Sequence, residues 1–234
     1  MEHRSDFVRV RAVADFGGTY IDFDVHALHD IGSLRRSGFR AVVGRQAEGG
    51  VNSGVFMSAK NSALISLWVE GMHAAYTGGW TIHSNDVLTR ISEQLATVPD
   101  EVLVLEQPAF NPGSWYEQDQ MDLWLNREDA PSNLNDNFAE GDPLLDYATA
   151  PVLDRWKADD KDDPDRPSWA WSWSQSYVLH AFSPRFVSDR KVFPKVTPRY
   201  VLERRSNFAR AVYPVAKLMY EQGLISLNDT LSGL

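Results

Sequence analysis

The sequence predicts an α/β protein, because helix and strand patterns alternate along its first half. The predicted helices cover residues 5–16, 62–75 and 84–97. The predicted strands cover residues 19–25, 39–45, 55–59 and 102–105. A chain of 234 residues, 43% hydrophobic and 24% charged, is long enough for one substantial core. We therefore expect a globular chain of one domain, or one and a half.

The first helix is predicted over Ser5–Phe16, with Ser5 as its N-cap and Gly17 at its end. Its apolar residues at helical spacing are Phe7, Val10, Val13 and Ala14. Asp6 and Arg9 lie three residues apart and so share one face of this helix. From spacing alone, a surface ion pair is the simplest interpretation of that pair.

A short buried strand is predicted to follow the glycines, from Thr19 to Val25. Alternation along a strand turns Asp22 and Asp24 to one face. It turns Ile21, Phe23 and Val25 to the core. Two carboxylates that close repel each other unless a hard cation such as Mg²⁺ or Mn²⁺ neutralises them. The alternative interpretation is a solvated Asp-x-Asp turn.

The remaining elements follow from the same patterns. Residues 30–37 form a short helical turn and residues 49–54 a tight turn, while Asn61 or Ser62 caps a helix whose Trp68 we expect in the core. An amphipathic helix is predicted over 206–222, kinked at Pro214, with its inward residues Phe208, Val212, Val215 and Met219. We expect a long, partly helical excursion over residues 124–151. The acidic run 157–167 fails the EF-hand pattern, so we expect a solvated loop there.

Charge and cysteine content exclude several classes of protein. A net charge of −9 and a pI near 5.1 argue against nucleic acid or an anionic membrane surface as the main partner. The chain has no cysteine, so it forms neither disulfides nor thiolate metal sites. No apolar run reaches the roughly 18 residues of a membrane span, so we expect no membrane segment.

Residues 5–24 carry a family resemblance. Ser5-Asp6-Phe7-Val8-Arg9 followed by Gly17-Gly18-Thr19-Tyr20-Ile21-Asp22-Phe23-Asp24 matches a Ser-Asp-x-x-Arg helix that leads into Gly-Gly-x-Tyr-x-Asp-x-Asp. This pattern resembles the glycosyltransferase family with a sugar-binding region containing a DXD motif. That family includes fungal initiating mannosyltransferases and capsular polysaccharide enzymes, with clostridial glucosylating toxins as more distant relatives. The resemblance covers about residues 3–115 well and the rest weakly.

The resemblance implies a GT-A fold, a Rossmann-like mixed sheet flanked by helices, with a helical C-terminal extension. It implies a retaining transferase that uses Mn²⁺ or Mg²⁺, a UDP-hexose or GDP-mannose donor, and a glycan or lipid-linked acceptor. The implied donor-binding residues are Asp6, Arg9, Gly17, Gly18, Tyr20 and Asp22. The implied metal ligands are Asp22, Asp24 and His180, and the catalytic candidates are Asp22, Asp24, Asn52 and Asp86.

Three of these residues have competing interpretations. Asn52 and Asp86 are also typical turn or cap residues. His180 ends an apolar segment, and its flank, Ala181-Phe182-Ser183-Pro184, differs from the commoner His-aromatic-x-x-Ser-Trp pattern. On this interpretation residues 1–115 form the catalytic core, residues 116–200 complete it and carry His180, and residues 201–234 form the C-terminal helix and tail.

The family usually has further strands before the Ser-Asp-x-x-Arg helix, and here only four residues precede it. We therefore expect either a fragment or a genuine short form, with any membrane anchor in the missing segment. The resemblance, and not these residues, implies a Golgi or secretory location. The leading hypothesis is a metal-dependent glycosyltransferase, and the second is a non-catalytic binding or scaffold domain. A glycoside hydrolase ranks last, because such enzymes place two carboxylates on opposite sides of a sugar ring.

Overall fold

The computed structural model describes residues 2–128, 130, 167–182 and 193–230. The chain divides into two compact units, which are described separately. The first comprises residues 1–25 and 30–112, and the second comprises residues 26–29 and 113–234. Nearly all of the predicted excursion at 124–151 and of the acidic run at 157–167 lies outside the described residues.

The first unit is built on a mixed four-stranded sheet in the order β1-β4-β3-β5. Its strands are β1 (Gly18–Ile21), β3 (Ala41–Arg45), β4 (Val51–Ser58) and β5 (Val102–Leu105). Strand β4 pairs antiparallel with both β1 and β3, and β3 pairs parallel with β5. The predicted mixed sheet flanked by helices is confirmed, and it is compatible with a Rossmann-like fold.

Helices cover this sheet and close the core of the first unit. They are α1 (Glu2–Phe16), α2 (Gly32–Arg35), α3 (Ala63–Ala75), α4 (Val87–Leu95) and α5 (Gln107–Phe110). The Ser62 hydroxyl caps α3 by accepting from the Ile65 N–H at 3.1 Å, as the sequence predicts. Trp68 is fully buried among the residues of the core cluster, which confirms its predicted place.

Strand β1 is not the buried strand that the sequence predicts. Within the described residues it pairs with β4 alone, so it forms an edge of the sheet. Ile21 is 53% exposed, and Phe23 is fully exposed because it lies in a turn after the strand. The predicted alternation stops at this turn, where the Val25 N–H donates to the Asp22 carbonyl at 3.2 Å. Of the three expected core residues, only Val25 is buried.

The predicted turn over residues 49–54 is also wrong. The chain turns earlier, in a 3₁₀ segment at Ala47–Gly49 where Glu48 and Gly49 have positive φ, and β4 already begins at Val51. All eight residues of β4 are buried. Two helix starts differ as well: α1 begins at Glu2 rather than Ser5, and a π-helix at Ile82–Asp86 precedes α4.

The second unit contains helices and a small sheet. Strands β2 (Val25–Ala27) and β6 (Val178–His180) form the two-stranded sheet. The helices are α6 (Glu117–Trp124), α7 (Pro198–Leu202) and α8 (Asn207–Glu221). Helix α8 contains Pro214 and ends before Gly223, as predicted, but Val215 is 42% exposed instead of facing the core. No helix in the described parts of either unit is long and apolar enough to cross a membrane.

Candidate active site

The link between α1 and β1 requires glycine for reasons of backbone geometry. Gly17 and Gly18 both have positive φ, of 69° and 119°. The Gly17 N–H donates to the Val13 carbonyl at 2.8 Å and thereby ends α1. A Cβ on Gly17 would lie 2.9 Å from the backbone nitrogen of Lys60, so a side chain does not fit there. The glycine pair thus brings β1 back beside α1.

Arg9 is the centre of a largely buried polar cluster in the first unit. Its guanidinium pairs with Asp6 at 3.1 Å and with Asp22 at 3.3 Å, and donates to the Ser53 carbonyl at 3.1 Å. The side chain of Arg9 is only 10% exposed, so its charge depends on these partners rather than on water. The predicted pair of Asp6 and Arg9 is therefore a largely buried ion pair rather than a surface one.

Tyr20 completes the contacts of Asp22. Its hydroxyl donates to Asp22 Oδ1 at 2.6 Å, and the Arg9 guanidinium lies 4.8 Å from the centre of its ring. Burial raises the pKa of Tyr20 above its ordinary value, and the hydrogen bond to Asp22 raises it further. The phenol therefore remains a proton donor, and Asp22 accepts one hydrogen bond on each carboxylate oxygen.

Asp22 directly follows β1, and Asp24 lies two residues later within the turn. One carboxylate oxygen of each lies within 4.8 Å of the other, and the Asp22 N–H is held by the Gly54 carbonyl at 2.8 Å. Two oxygens that bind one Mg²⁺ ion at about 2.1 Å lie at most about 4.2 Å apart. Each Asp22 oxygen keeps a second lone pair after its one hydrogen bond. The pair thus offers the oxygen donors that a hard divalent cation takes, and the predicted metal site stays a prediction.

The other catalytic candidates have structural contacts. Asn52 is buried; its Oδ1 accepts from the Gly54 N–H and its Nδ2 donates to Gln46, both at 2.6 Å. It therefore shapes the segment of β4 whose carbonyls bind Arg9 and the backbone of Asp22. Asp86 is exposed at the end of the π-helix and accepts from Thr81 at 3.3 Å. The catalytic roles of Asn52 and Asp86 stay predictions.

His180 belongs to the second unit, at the end of β6. It is 6% exposed, and its ring stacks on Phe182 with 4.0 Å between ring centres. Its burial agrees with the apolar segment predicted around it. Its role as a metal ligand stays a prediction.

The sequence patterns assign no role to His83, which the fold brings to the cluster. His83 is fully buried, and its Nε2 lies 3.0 Å from Asp6 Oδ2. The two residues are 77 positions apart, and no local pattern predicts the π-helix that carries His83. The sequence therefore carries no local signal for the contact between His83 and Asp6.

Comparisons of this chain with protein-family models, with curated proteins and with solved structures gave no match. A functional interpretation therefore depends on the motif in residues 5–24 and on the contacts that its residues make.

Proposed function

We propose that this chain is a metal-dependent, retaining glycosyltransferase of the GT-A type, which transfers a sugar from a nucleotide diphosphate donor to a hydroxyl group. The observation that carries the proposal is the buried Arg9 guanidinium, held between Asp6 and Asp22 beside the Asp22–Asp24 pair. Every charged residue in this cluster belongs to the motif that resembles the DXD glycosyltransferases. Retention of configuration follows from that resemblance.

The charge of the cluster supports a metal requirement. Asp6 and Asp22 pair with the Arg9 guanidinium and Asp24 lies beside Asp22, so these four motif residues bring three carboxylates and one guanidinium together. A pyrophosphate is itself an anion and would be repelled by such a site. A divalent cation held by Asp22 and Asp24 would reverse this repulsion and neutralise the charge that develops on the leaving nucleotide. We therefore expect donor binding to require Mg²⁺ or Mn²⁺.

The protein's own residues supply positioning. Arg9 has two carboxylate partners and a carbonyl partner, so its guanidinium is held in one orientation. Tyr20 holds Asp22 from the other side through a protonated hydroxyl. Such a pre-organised group costs little free energy of reorganisation when a donor binds. We expect Asp6 and Arg9 to contact the sugar or ribose of the donor, and Asp24 to contact the cation.

The experiment that tests this proposal is a calorimetric titration with UDP-glucose, UDP-galactose and GDP-mannose, with Mn²⁺ and then with a chelator. We expect binding of one donor that is lost when the cation is removed. Asp22→Asn and Asp24→Asn should each weaken donor binding by at least about tenfold, or about 1.4 kcal/mol. Asp15→Asn is the matched control, because Asp15 lies near the end of α1 and forms an exposed ion pair with Arg11 at 2.9 Å.

Three outcomes are informative. Manganese-dependent binding with sugar transfer to water or to an added glycan would support the transferase. Manganese-dependent binding without any turnover would favour a binding or scaffold domain. Full donor affinity in the Asp22 and Asp24 variants, or in the presence of chelator, would contradict the proposed site. A Golgi or secretory location and a glycan or lipid-linked acceptor are part of the same proposal.

A further inference from the structure

His83 lies in an unusual backbone segment that turns its ring inward. The π-helix Ile82–Asp86 has a wider turn than an α-helix, and π-turns occur often at functional sites. Ile82 is 41% exposed, whereas His83 beside it is fully buried. The His83 ring stacks on Phe7, with 5.3 Å between ring centres and 9° between planes, and meets the edge of Tyr76 at 5.1 Å. The ring is therefore held in one place by α1 and by the end of α3.

The two ring nitrogens of His83 have different surroundings. Nε2 lies 3.0 Å from Asp6 Oδ2, while Nδ1 is buried and has no hydrogen-bond partner in the described part of the chain. An ionised carboxylate only accepts hydrogen bonds, so this contact requires the proton on Nε2. A second proton, on Nδ1, would be buried without an acceptor. The contacts therefore assign the tautomer with hydrogen on Nε2 and a lone pair on Nδ1.

The two carboxylate oxygens of Asp6 contact two different partners. Oδ2 faces His83, and Oδ1 lies 3.1 Å from the Arg9 guanidinium. The terminal torsion of an aspartate is soft, so one hydrogen bond alone leaves the carboxylate free to rotate. The His83 contact removes that freedom and keeps Oδ1 on Arg9. Arg9 in turn contacts Asp22 at 3.3 Å, so Asp6 links His83 to the rest of the cluster.

We propose that His83 is a positioning residue, which orients Asp6 and through it holds the Arg9 guanidinium against Asp22. His83 touches no reacting group in this scheme, and it acts only through Asp6. The inference rests on the proposed function in one respect, because that function makes Arg9 and Asp22 the groups that meet the donor. The ordering of Arg9 itself is a property of the free chain and is measurable without any ligand.

Two variants separate the hydrogen bond from ring packing. His83→Gln keeps an N–H donor close to the place of Nε2 and loses the ring. His83→Phe keeps a ring against Phe7 and loses the donor. In spectra of ¹⁵N-arginine-labelled protein, a fixed guanidinium shows separate Nη signals, and a freely rotating one shows averaged signals. The Arg9 signals are identified by their loss in Arg9→Lys.

We expect separate Arg9 Nη signals in the wild type and in His83→Gln, and averaged signals in His83→Phe. Donor affinity should fall by about tenfold in His83→Phe and stay within about threefold in His83→Gln, as for the loss of one hydrogen bond to a charged group. Unchanged Arg9 signals in His83→Phe would overturn the proposal. Separate Arg9 signals in His83→Phe together with averaged signals in His83→Gln would also overturn it, since packing of the ring would then be what holds Arg9 in place.

One measurement needs no variant and applies if His83→Phe fails to fold. Long-range ¹H–¹⁵N correlation in the wild type should show the His83 proton on Nε2, and a proton on Nδ1 alone would overturn the proposal. The failure of the proposed function has a different signature. If the wild type binds no donor while Arg9 still responds to His83→Phe, the transferase is wrong and the positioning stands. If the wild type binds a donor and Arg9 does not respond, the positioning is wrong and the transferase stands.

Discussion

Replacing Arg9 by methionine should destabilise the first unit far more than an ordinary charge removal. Methionine keeps most of the length of the side chain and removes all of its hydrogen bonds. Asp6 and Asp22, whose side chains are only 14% and 25% exposed, would then lose their common cation. Breaking a buried ion pair from one side costs about 3–5 kcal/mol.

The expected cost here is lower, for reasons visible in the structure. Asp6 keeps the hydrogen bond from His83, and Asp22 keeps the one from Tyr20. The quarter exposure of Asp22 also allows water to replace part of the lost contact. We therefore expect a loss of about 2–4 kcal/mol in the free energy of unfolding of the first unit.

Arg11→Met is the matched control, since it removes the same side chain from the same helix. Arg11 pairs with Asp15 at 2.9 Å, but the two side chains are 69% and 43% exposed. Exposed pairs of this spacing contribute about 0.3–0.5 kcal/mol. The control should therefore change stability very little.

Hydrogen exchange followed by mass spectrometry is the suitable assay, because two units need not unfold in one transition. The amides of β1 and β4 report the opening of the first unit. Arg9→Met should speed their exchange well beyond the effect of Arg11→Met. If the two variants agree within about 0.5 kcal/mol, the Arg9 cluster does not behave as a buried ionic network and the reasoning fails.

Three further predictions concern packing, capping and pH. Gly44→Ala would place a Cβ 2.7 Å from the buried Phe110 ring. We expect a loss of about 1–3 kcal/mol in the free energy of unfolding, measured by urea denaturation. An unchanged free energy of unfolding would mean that Phe110 moves easily. Ser206→Ala removes the N-cap of α8 and a hydrogen bond to the Tyr200 hydroxyl. It should lower the free energy of unfolding by about 1–3 kcal/mol. Unchanged hydrogen-exchange protection in α8 would contradict this. Burial raises the pKa of both Tyr20 and Tyr200. The folded chain therefore keeps these two protons above about pH 10, where the unfolded chain loses them. The free energy of unfolding should fall as the pH rises above about 10. Tyr20→Phe should flatten that fall, and an unchanged slope between pH 9 and about 11.5 would contradict it.

Local patterns predicted the helices well, because helix periodicity relates residues only three and four positions apart. Ser62 caps α3 as expected, and Trp68, which was expected in the core, is buried. Strand β5 has the predicted bounds, since a short apolar run between turn residues is also a local signal. In α8 the same periodicity misplaced Val215, which solvent reaches at the surface of the unit.

The candidate site was predictable in its residue types and only partly in its arrangement. The spacing of Asp6 and Arg9 on one helix face was enough to predict their contact. The contacts of Arg9 with Asp22 and with the Ser53 carbonyl depend on α1, β1 and β4 meeting, across 13 and 44 residues. The sequence pattern therefore identified the residues of the motif, but it did not show that Arg9 would be nearly buried.

Local patterns are enough to predict the α/β class, the alternation of elements and the acidic motif after the glycine pair, because each depends on neighbouring residues. The tertiary structure decided that β1 is an edge strand and that Asn52 belongs to a strand. It also decided that His83 contacts Asp6. Sheet order and burial are set by contacts between residues far apart in the chain, and such contacts leave no local period to detect.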